Sequence, residues 1–539
     1  MKETYQLKEL YEYLRKFHLS ESLYLTGAIN AVLKYREAGG WHKENISPVI
    51  YNWLLRASPN LSGYKAISVY TTRLARFLIL SGANGHRNGA PVLDVRNGTF
   101  EKALDMVQDL LEDDLEVKNG DTLDWDVFFG RQSVWQISLQ TDRLFIIGRA
   151  YLLFIDIPSR MKLNYDIDAK MNEYFQMDAF GFMATGAALW MMSNGTLDYE
   201  MNVEIPDLKN IVTKQTQLKF LELSSGTVKD YRRAIRGEDW KTPNKLLDIY
   251  FLDPFNQMPA IAVERSDHFR RDSYVVPQAK FLLDRASLGM FYLLGDKERE
   301  NAAKSNKALQ NHFRNAFGEI YRTYVGEQLK MAKGNKFFID LDYDFVPLPK
   351  AKLPDFAVIE GKTCILFEVK TTLLTVEART FFDHQKLDAE VQKGSLNKAM
   401  EQLTVFGASV LNGQISDTRF QGVTKIIHAL VGYEDIFVIN SSLLPILDRH
   451  YGSAASNLQL ATITDIDAIG NALDQDQPVF EWLEEKIGHR SYRAYAISTF
   501  INSKMAIENR LVRAAYKTFY AKTWHQTETK VKSNSTVFL

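Results

Sequence analysis

The sequence predicts an α/β C-terminal domain, a mixed central sheet flanked by helices, behind a largely helical α+β N-terminal region; the two parts are drawn at 1–305 and 306–539. Three observations carry this. Two apolar, β-favouring runs within 353–372 flank Gly361-Lys362 and read as a hairpin. Helical periodicity stands on both sides: Phe317, Ile320 and Tyr324 recur at spacings of three and four before the hairpin, and 395–410 reads as a helix after it. The apolar runs 425–432 and 436–439 then read as buried strands that complete the sheet.

A chain of 539 residues is long enough for two or more cores. Apolar content of 46% and charged content of 24% place it among globular proteins rather than disordered ones. The net charge of -1 excludes a globally basic nucleic-acid binder, so any such surface is a local patch. Cys364 is the single cysteine and has no internal disulfide partner, and Met1-Lys2-Glu3-Thr4 is followed by no apolar signal core. Both features lead to an expected cytoplasmic location. The most apolar helical run, 179–192, is too short to span a bilayer and reads as a buried core helix, so no membrane contact is expected.

In the N-terminal region, residues 1–80 read as helices, with Leu7, Leu10, Tyr11 and Leu14 on one face, and 81–98 as a loop rich in Gly, Asn, Arg and Pro. Glu112, Asp113, Asp114 and Glu116 read as a solvated helix end. Residues 143–147 and 151–155 look strand-like and suggest a small β element with a sensor role whose ligand nothing specifies. Arg232, Arg233 and Arg236 form a charged helix face, open to phosphate or simply solvated. The composition turns charged near 298–307, where the domain boundary is placed.

The hairpin carries the chemistry. A two-residue turn at Gly361-Lys362 pairs Glu360 with Thr363 and Ile359 with Cys364, which sets Asp355 opposite Glu368. Asp355, Glu368 and Lys370 then share one face, and Ile365, Phe367 and Val369 the other. Opposed Cβ atoms lie about 4.5–5.5 Å apart, and like charges there are destabilising. Lys370 supplies part of the required counter-charge, and a hard divalent cation would supply it better. Two carboxylates and an ammonium around such an ion suit phosphodiester hydrolysis.

Pro354-Asp355 followed, after twelve residues, by Glu368-Val369-Lys370 resembles the PD-(D/E)xK core of the restriction-endonuclease-like nucleases. The resemblance implies a restriction-endonuclease-like fold and Mg²⁺ as cofactor, with Mn²⁺ as a substitute. Asp355, Glu368 and the main-chain carbonyl of Val369 would hold the ion, and Lys370 would assist the water or the transition state. In that family a helix before the hairpin adds a third acid, commonly from a Gly-x-x-Phe-Glu-x-Tyr-Val pattern. Here Tyr321-Arg322 stands where Phe-Glu would be, so Glu319 is the first candidate and Glu327 the second. The family's Lys-Ala-x-x-Gln-Leu helix corresponds to Lys398 and Gln402, four apart on one face and expected to present toward phosphate.

The similarity to large bacterial nucleases implies a DNA endonuclease in anti-phage or restriction-type defence. An RNA nuclease stays open, as does a nucleic-acid-binding scaffold that keeps the fold without turnover. A homo-oligomer and a separate ATPase or sensor partner are also open.

Two motif readings fail. Asp340, Asp342 and Asp344 begin like a calcium loop, but Phe345 and Ala351 occupy its sixth and twelfth positions; a polar strand face is expected. Gly361-Lys362-Thr363 mimics the end of a phosphate loop, but Phe356 stands where its first glycine belongs. The most basic region is 490–532. Arg510, Arg513 and Lys517 share a helical face there, with Tyr516, Phe519, Tyr520 and Trp524 interleaved. A nucleic-acid groove and a core-facing aromatic stripe are both open.

Overall fold

The computed structural model of the chain describes residues 6–37, 47–57, 61–81, 89–112, 142–198, 211–235, 253–263, 273–304, 311–344, 353–375, 378, 384–434 and 439–523. Five helices open it: α1 (Leu7–Leu14), α2 (Leu19–Glu37), α3 (Pro48–Ala57), α4 (Leu61–Leu80) and α5 (Thr99–Glu112). The periodicity of the first holds, with Leu10 and Leu14 buried. Together with Trp53, Phe77 and Phe100 they form an N-terminal core. A small four-stranded sheet packs into it through Ile261 and Val275. Its strands are β1 (Thr196–Asp198), β2 (Ser225–Thr227), β3 (Ala260–Ala262) and β4 (Ser273–Val275), in the order β1-β4-β3-β2. The acidic run beyond Glu112 and Arg236 lie outside the described residues. Arg232 is a structural donor, its Nε bonding the Ile79 carbonyl at 2.7 Å.

The small β element expected at 143–155 is helical instead. Helix α6 (Arg143–Tyr151) is started by Asp142, whose carboxylate accepts from the Leu144 N–H at 2.8 Å. A π-turn over Leu152–Asp156 and a short helix over Ile157–Arg160 continue it. β-Branched and aromatic residues favour strands when one face stays wet, but here the middle of the run, Ile146 to Phe154, is buried on every side. Pro158 lacks a donor, and the wider turn just before it absorbs that break. Helix α7 (Ala179–Met192) is the buried core helix that its composition predicts. Among the described residues no helix is long and apolar enough to cross a membrane.

The second sheet holds the hairpin. Its strands are β5 (Lys336–Asp340), β6 (Phe356–Glu360), β7 (Thr363–Lys370), β8 (Lys425–Gly432) and β9 (Leu458–Ala461), in sequential order. The first three pair antiparallel, and β7, β8 and β9 run parallel. Helix α8 (His312–Leu329) covers one face, burying Phe313, Phe317, Ile320, Tyr321 and Tyr324 against Phe356, Ile365 and Phe367. Helix α9 (Ser395–Leu411) covers the other, with Leu396, Met400, Leu403 and Phe406 against Ala357, Cys364 and Leu366. Of the strand expected at 436–439, residues 436–438 lie outside the described residues and Ile439 opens helix α10 (Ile439–Tyr451). Among the described strands the edge beyond β8 is β9.

One continuous core crosses the boundary drawn at residue 306. Phe154 and Phe291 pack on Phe317 with ring centroids 5.4 Å and 4.8 Å apart, and Phe291 meets Tyr433 at 5.1 Å. Helices α11 (Ile463–Asp474) and α12 (Arg510–Thr523) tie into the same body. Arg149 and Asp467, each 1% exposed, pair at 2.6 Å, and the Tyr324 hydroxyl donates to the same carboxylate. A buried ion pair of this kind tolerates loss of neither partner. A fragment of residues 306–539 should therefore fail to fold alone, giving dye-binding, protease-sensitive material; a single cooperative unfolding transition for it would contradict this.

Candidate active site

The turn that fixes the site needs its glycine: Gly361 has φ 59, a left-handed conformation at the first central position of a two-residue loop. The resulting ladder pairs Glu360 with Thr363, Ile359 with Cys364 and Phe356 with Phe367, the register read from the sequence. The paired register ends at Phe356 and Phe367; one residue earlier the Asp355 N–H donates to the Phe367 carbonyl at 3.0 Å, one position off that register. The direct pairing of Asp355 with Glu368 expected from the sequence is thus not part of the ladder, and Asp355 meets β7 through its side chain. Asp355 Oδ2 accepts the Val369 N–H at 2.7 Å. Glu368 Oε1 accepts from Lys370 Nζ. Glu368 is only 2% exposed, and among the described residues its Oε2 has no hydrogen-bond partner. The group sits where β7 ends beside parallel β8, the end of a sheet at which ligand sites of open α/β folds are built.

Helix α8 delivers a cation to this place. Arg322 Nε donates to Asp355 Oδ1 at 2.8 Å, and its Nη2 donates to Asp340 Oδ1 at 2.6 Å and lies 3.0 Å from Asp342 Oδ2. The guanidinium stacks over Phe356 at 4.5 Å, and Phe356 in turn fits under α8 because Gly326 has no side chain: a Cβ there would stand 3.1 Å from the ring. Tyr321, the neighbour of Arg322, fastens the helix to the sheet by donating to the Gly432 carbonyl at 2.6 Å, and Gly432 is the ladder partner of Lys370.

The electrostatics follow from burial and like charge. Burial, then the Asp355 carboxylate, push Glu368 up to about 7 against the pull of Lys370. Burial also raises Asp355, while the Val369 N–H, Arg322 and Lys370 draw it down. Burial lowers Arg322, but its three carboxylates outweigh that and hold it above the ordinary value. Among the described residues no group of three or more His, Cys, Asp or Glu side chains is arranged to hold a metal ion. Asp355 and Glu368 still have the chemistry a hard cation prefers: an oxygen of a buried carboxylate without a partner among the described residues, beside a second carboxylate.

The other sequence candidates divide. Glu319 is exposed on α8 and is not brought to the pair; the third acid expected from that helix is replaced by Arg322, one turn on. Glu327 is held elsewhere by Arg160 at 2.7 Å. Val369 takes part through its N–H. Gln402 faces the site's approach, but its amide donates to the Leu353 carbonyl at 2.8 Å, holding the segment that leads into Asp355, while Lys398 stands exposed a turn earlier.

On α12, Arg510 pairs with Asp474 at 3.1 Å and Arg513 with Glu508 at 2.7 Å, and Lys517 is exposed. Asp474 also holds Lys333, and Asp476 holds Lys336 beside Glu360, at the turn end of the sheet; Arg510 is thus remote from the carboxylate end. Phe519 is core, Tyr516 packs at its edge, and Trp524 lies outside the described residues.

Arg322, Asp340 and Asp342 are site residues that sequence reasoning does not place there. The expected polar strand face ends at Asp340: Asp342 and Asp344 follow in a turn in which the Asp344 N–H donates to the Asp340 carbonyl at 2.7 Å. Three acids so close need a counter-cation, and Arg322 in the otherwise largely apolar second half of α8 was the available signal. In comparisons with known proteins, the chain matches no family model and no curated sequence.

The shift at Glu368 has a stability consequence. Its folded value lies near 7 against an ordinary 4.5, so the metal-free native state binds the extra proton between those values and loses stability as pH rises through that window. The loss is on the order of 3 kcal/mol. Glu368→Gln should raise the melting temperature of metal-free protein near pH 8 and have little effect near pH 4. Thermal melts of both proteins across pH check this; parallel curves would contradict it.

Proposed function

We propose that the chain is a divalent-metal-dependent nuclease of the restriction-endonuclease-like kind, hydrolysing phosphodiester bonds at Asp355, Glu368 and Lys370. One observation supports the reading: Asp355, tied to β7 by the Val369 N–H, lies close enough to raise the Glu368 carboxyl, whose second, buried oxygen has no partner among the described residues. A mixed sheet in which an antiparallel hairpin leads into parallel strands, with a helix on each face, is consistent with that fold. Mg²⁺ or Mn²⁺, held by Asp355 and Glu368, would polarise the phosphate and lower the pKa of the attacking water.

The chain's own residues do the rest. Glu368 lies beneath the surface, whereas the side chains of Asp355 and Lys370 are 17% and 27% exposed, so a phosphate arriving from solvent meets those two first. The ammonium is tethered to Glu368 and faces the charge that develops on the phosphate oxygens, or orients the water. DNA is the favoured substrate and defence against foreign DNA the favoured role, both supported by the motif's resemblance; RNA is the alternative.

The Arg322 guanidinium on Asp355 favours one further reading, a nucleic-acid-binding scaffold that keeps the fold without turnover. Incubation with supercoiled plasmid and matched RNA, with Mg²⁺, Mn²⁺ or chelator, separates these. The nuclease reading expects metal-dependent cutting, abolished in Asp355→Ala and reduced roughly 100-fold or more in Lys370→Ala. Binding without cutting, indifferent to Lys370→Ala, supports the scaffold.

A further inference from the structure

Arg322 is the most heavily engaged cation of the site. Its Nε and Nη2 bond Asp355 and Asp340, its Nη2 also meets Asp342, and its Nη1 stands 3.4 Å from the second Asp340 oxygen. The Asp355 carbonyl adds a contact at 3.4 Å. Tyr343 lies on the guanidinium at 5.4 Å and Phe356 at 4.5 Å. With its side chain 12% exposed and its donors given to carboxylates, Arg322 has little left to offer a phosphate. Its place is that of a cation among acids.

We propose that Arg322 is a positioning residue that acts as the site's built-in second cation, so that the chain takes one divalent ion, between Asp355 and Glu368, and not two. This rests on the reading of that pair as the metal seat. Two-metal centres need their ions about 3.5–4 Å apart on shared carboxylate oxygens. Here the Asp355 oxygen that a second ion would share is held by Arg322, and the acids that would complete its shell, Asp340 and Asp342, are turned to the same guanidinium. Charge agrees. The carboxylates touching either cation are Asp340, Asp342, Asp355 and Glu368, against Arg322 and Lys370; four minus two leaves the charge that one divalent ion neutralises. The unpartnered Glu368 Oε2 marks the side on which that ion belongs.

Removing the guanidinium would leave Asp340, Asp342 and Asp355 converging on open space, an oxygen-rich seat of the kind hard cations fill. The test is Mn²⁺ binding to the full chain, counted by equilibrium dialysis and examined by electron paramagnetic resonance. Wild type should bind one ion with the spectrum of an isolated Mn²⁺. Arg322→Ala should bind two with a spin-coupled signal, and Arg322→Lys, which restores the charge, should return to one. Should Arg322→Ala not fold, the wild-type and Arg322→Lys counts decide. Two coupled ions in wild type, or a single ion in folded Arg322→Ala, overturn the proposal and leave Asp355 and Glu368 as the seat. No ion at all, or one that Asp355→Asn does not displace, removes the reading beneath it.

Discussion

Like charges held close together in a buried place are destabilising, and at the open end of β6 and β7 the fold accepts that arrangement at Asp355 and Glu368, where the one carboxylate raises the other. The register allows no escape, because a slip of one residue would turn Phe356, Val358, Ile365 and Phe367 away from the core they fill. The repulsion is instead met from two directions. Lys370 comes from the same strand, and Arg322 from the helix on the opposite face of the sheet. Glu368 still ends with a buried oxygen that no described residue satisfies.

The rest of the structure serves to hold that end of the sheet still. Tyr321 and Gly326 fasten and seat α8 so that Arg322 reaches past Phe356 to Asp355. Gln402 of α9 holds the segment entering Asp355 from the other side. Behind α8, the aromatic cluster of Phe154, Phe291, Phe313 and Phe317 and the Arg149–Asp467–Tyr324 network tie the sheet to helices that come much earlier in the chain. The region before residue 306 is thus part of the scaffold that supports the site.

The hairpin was legible because its information is local: a glycine at the turn and a period of two fix partner and face together. The helix before it and the helix after it were legible from their apolar spacing, as was the buried helix at Ala179–Met192. What could not be read depends on distant residues. The run at 143–155 has strand-like residues and becomes helix because its middle, Ile146 to Phe154, is buried in a core shared with segments far along the sequence. Arg322 and Asp340 are 18 residues apart and meet only through the packing of α8 on the sheet. Glu319 was the nearer acid in sequence but faces solvent, since the turn of α8 that points at the site ends in Arg322. Arg510, Arg513 and Lys517 share a helical face, yet Arg510 and Arg513 are held in ion pairs, and Arg510 shares Asp474 with Lys333 away from the carboxylates.

The central claim is that Asp355 and Glu368 share one divalent cation. Crystals soaked in Mn²⁺ and measured near the manganese absorption edge test it most directly. The account predicts an anomalous peak lying between the two carboxylates, within bonding distance of Glu368 Oε2. A map without a peak there, or with the ion bound only at other acids, would contradict it.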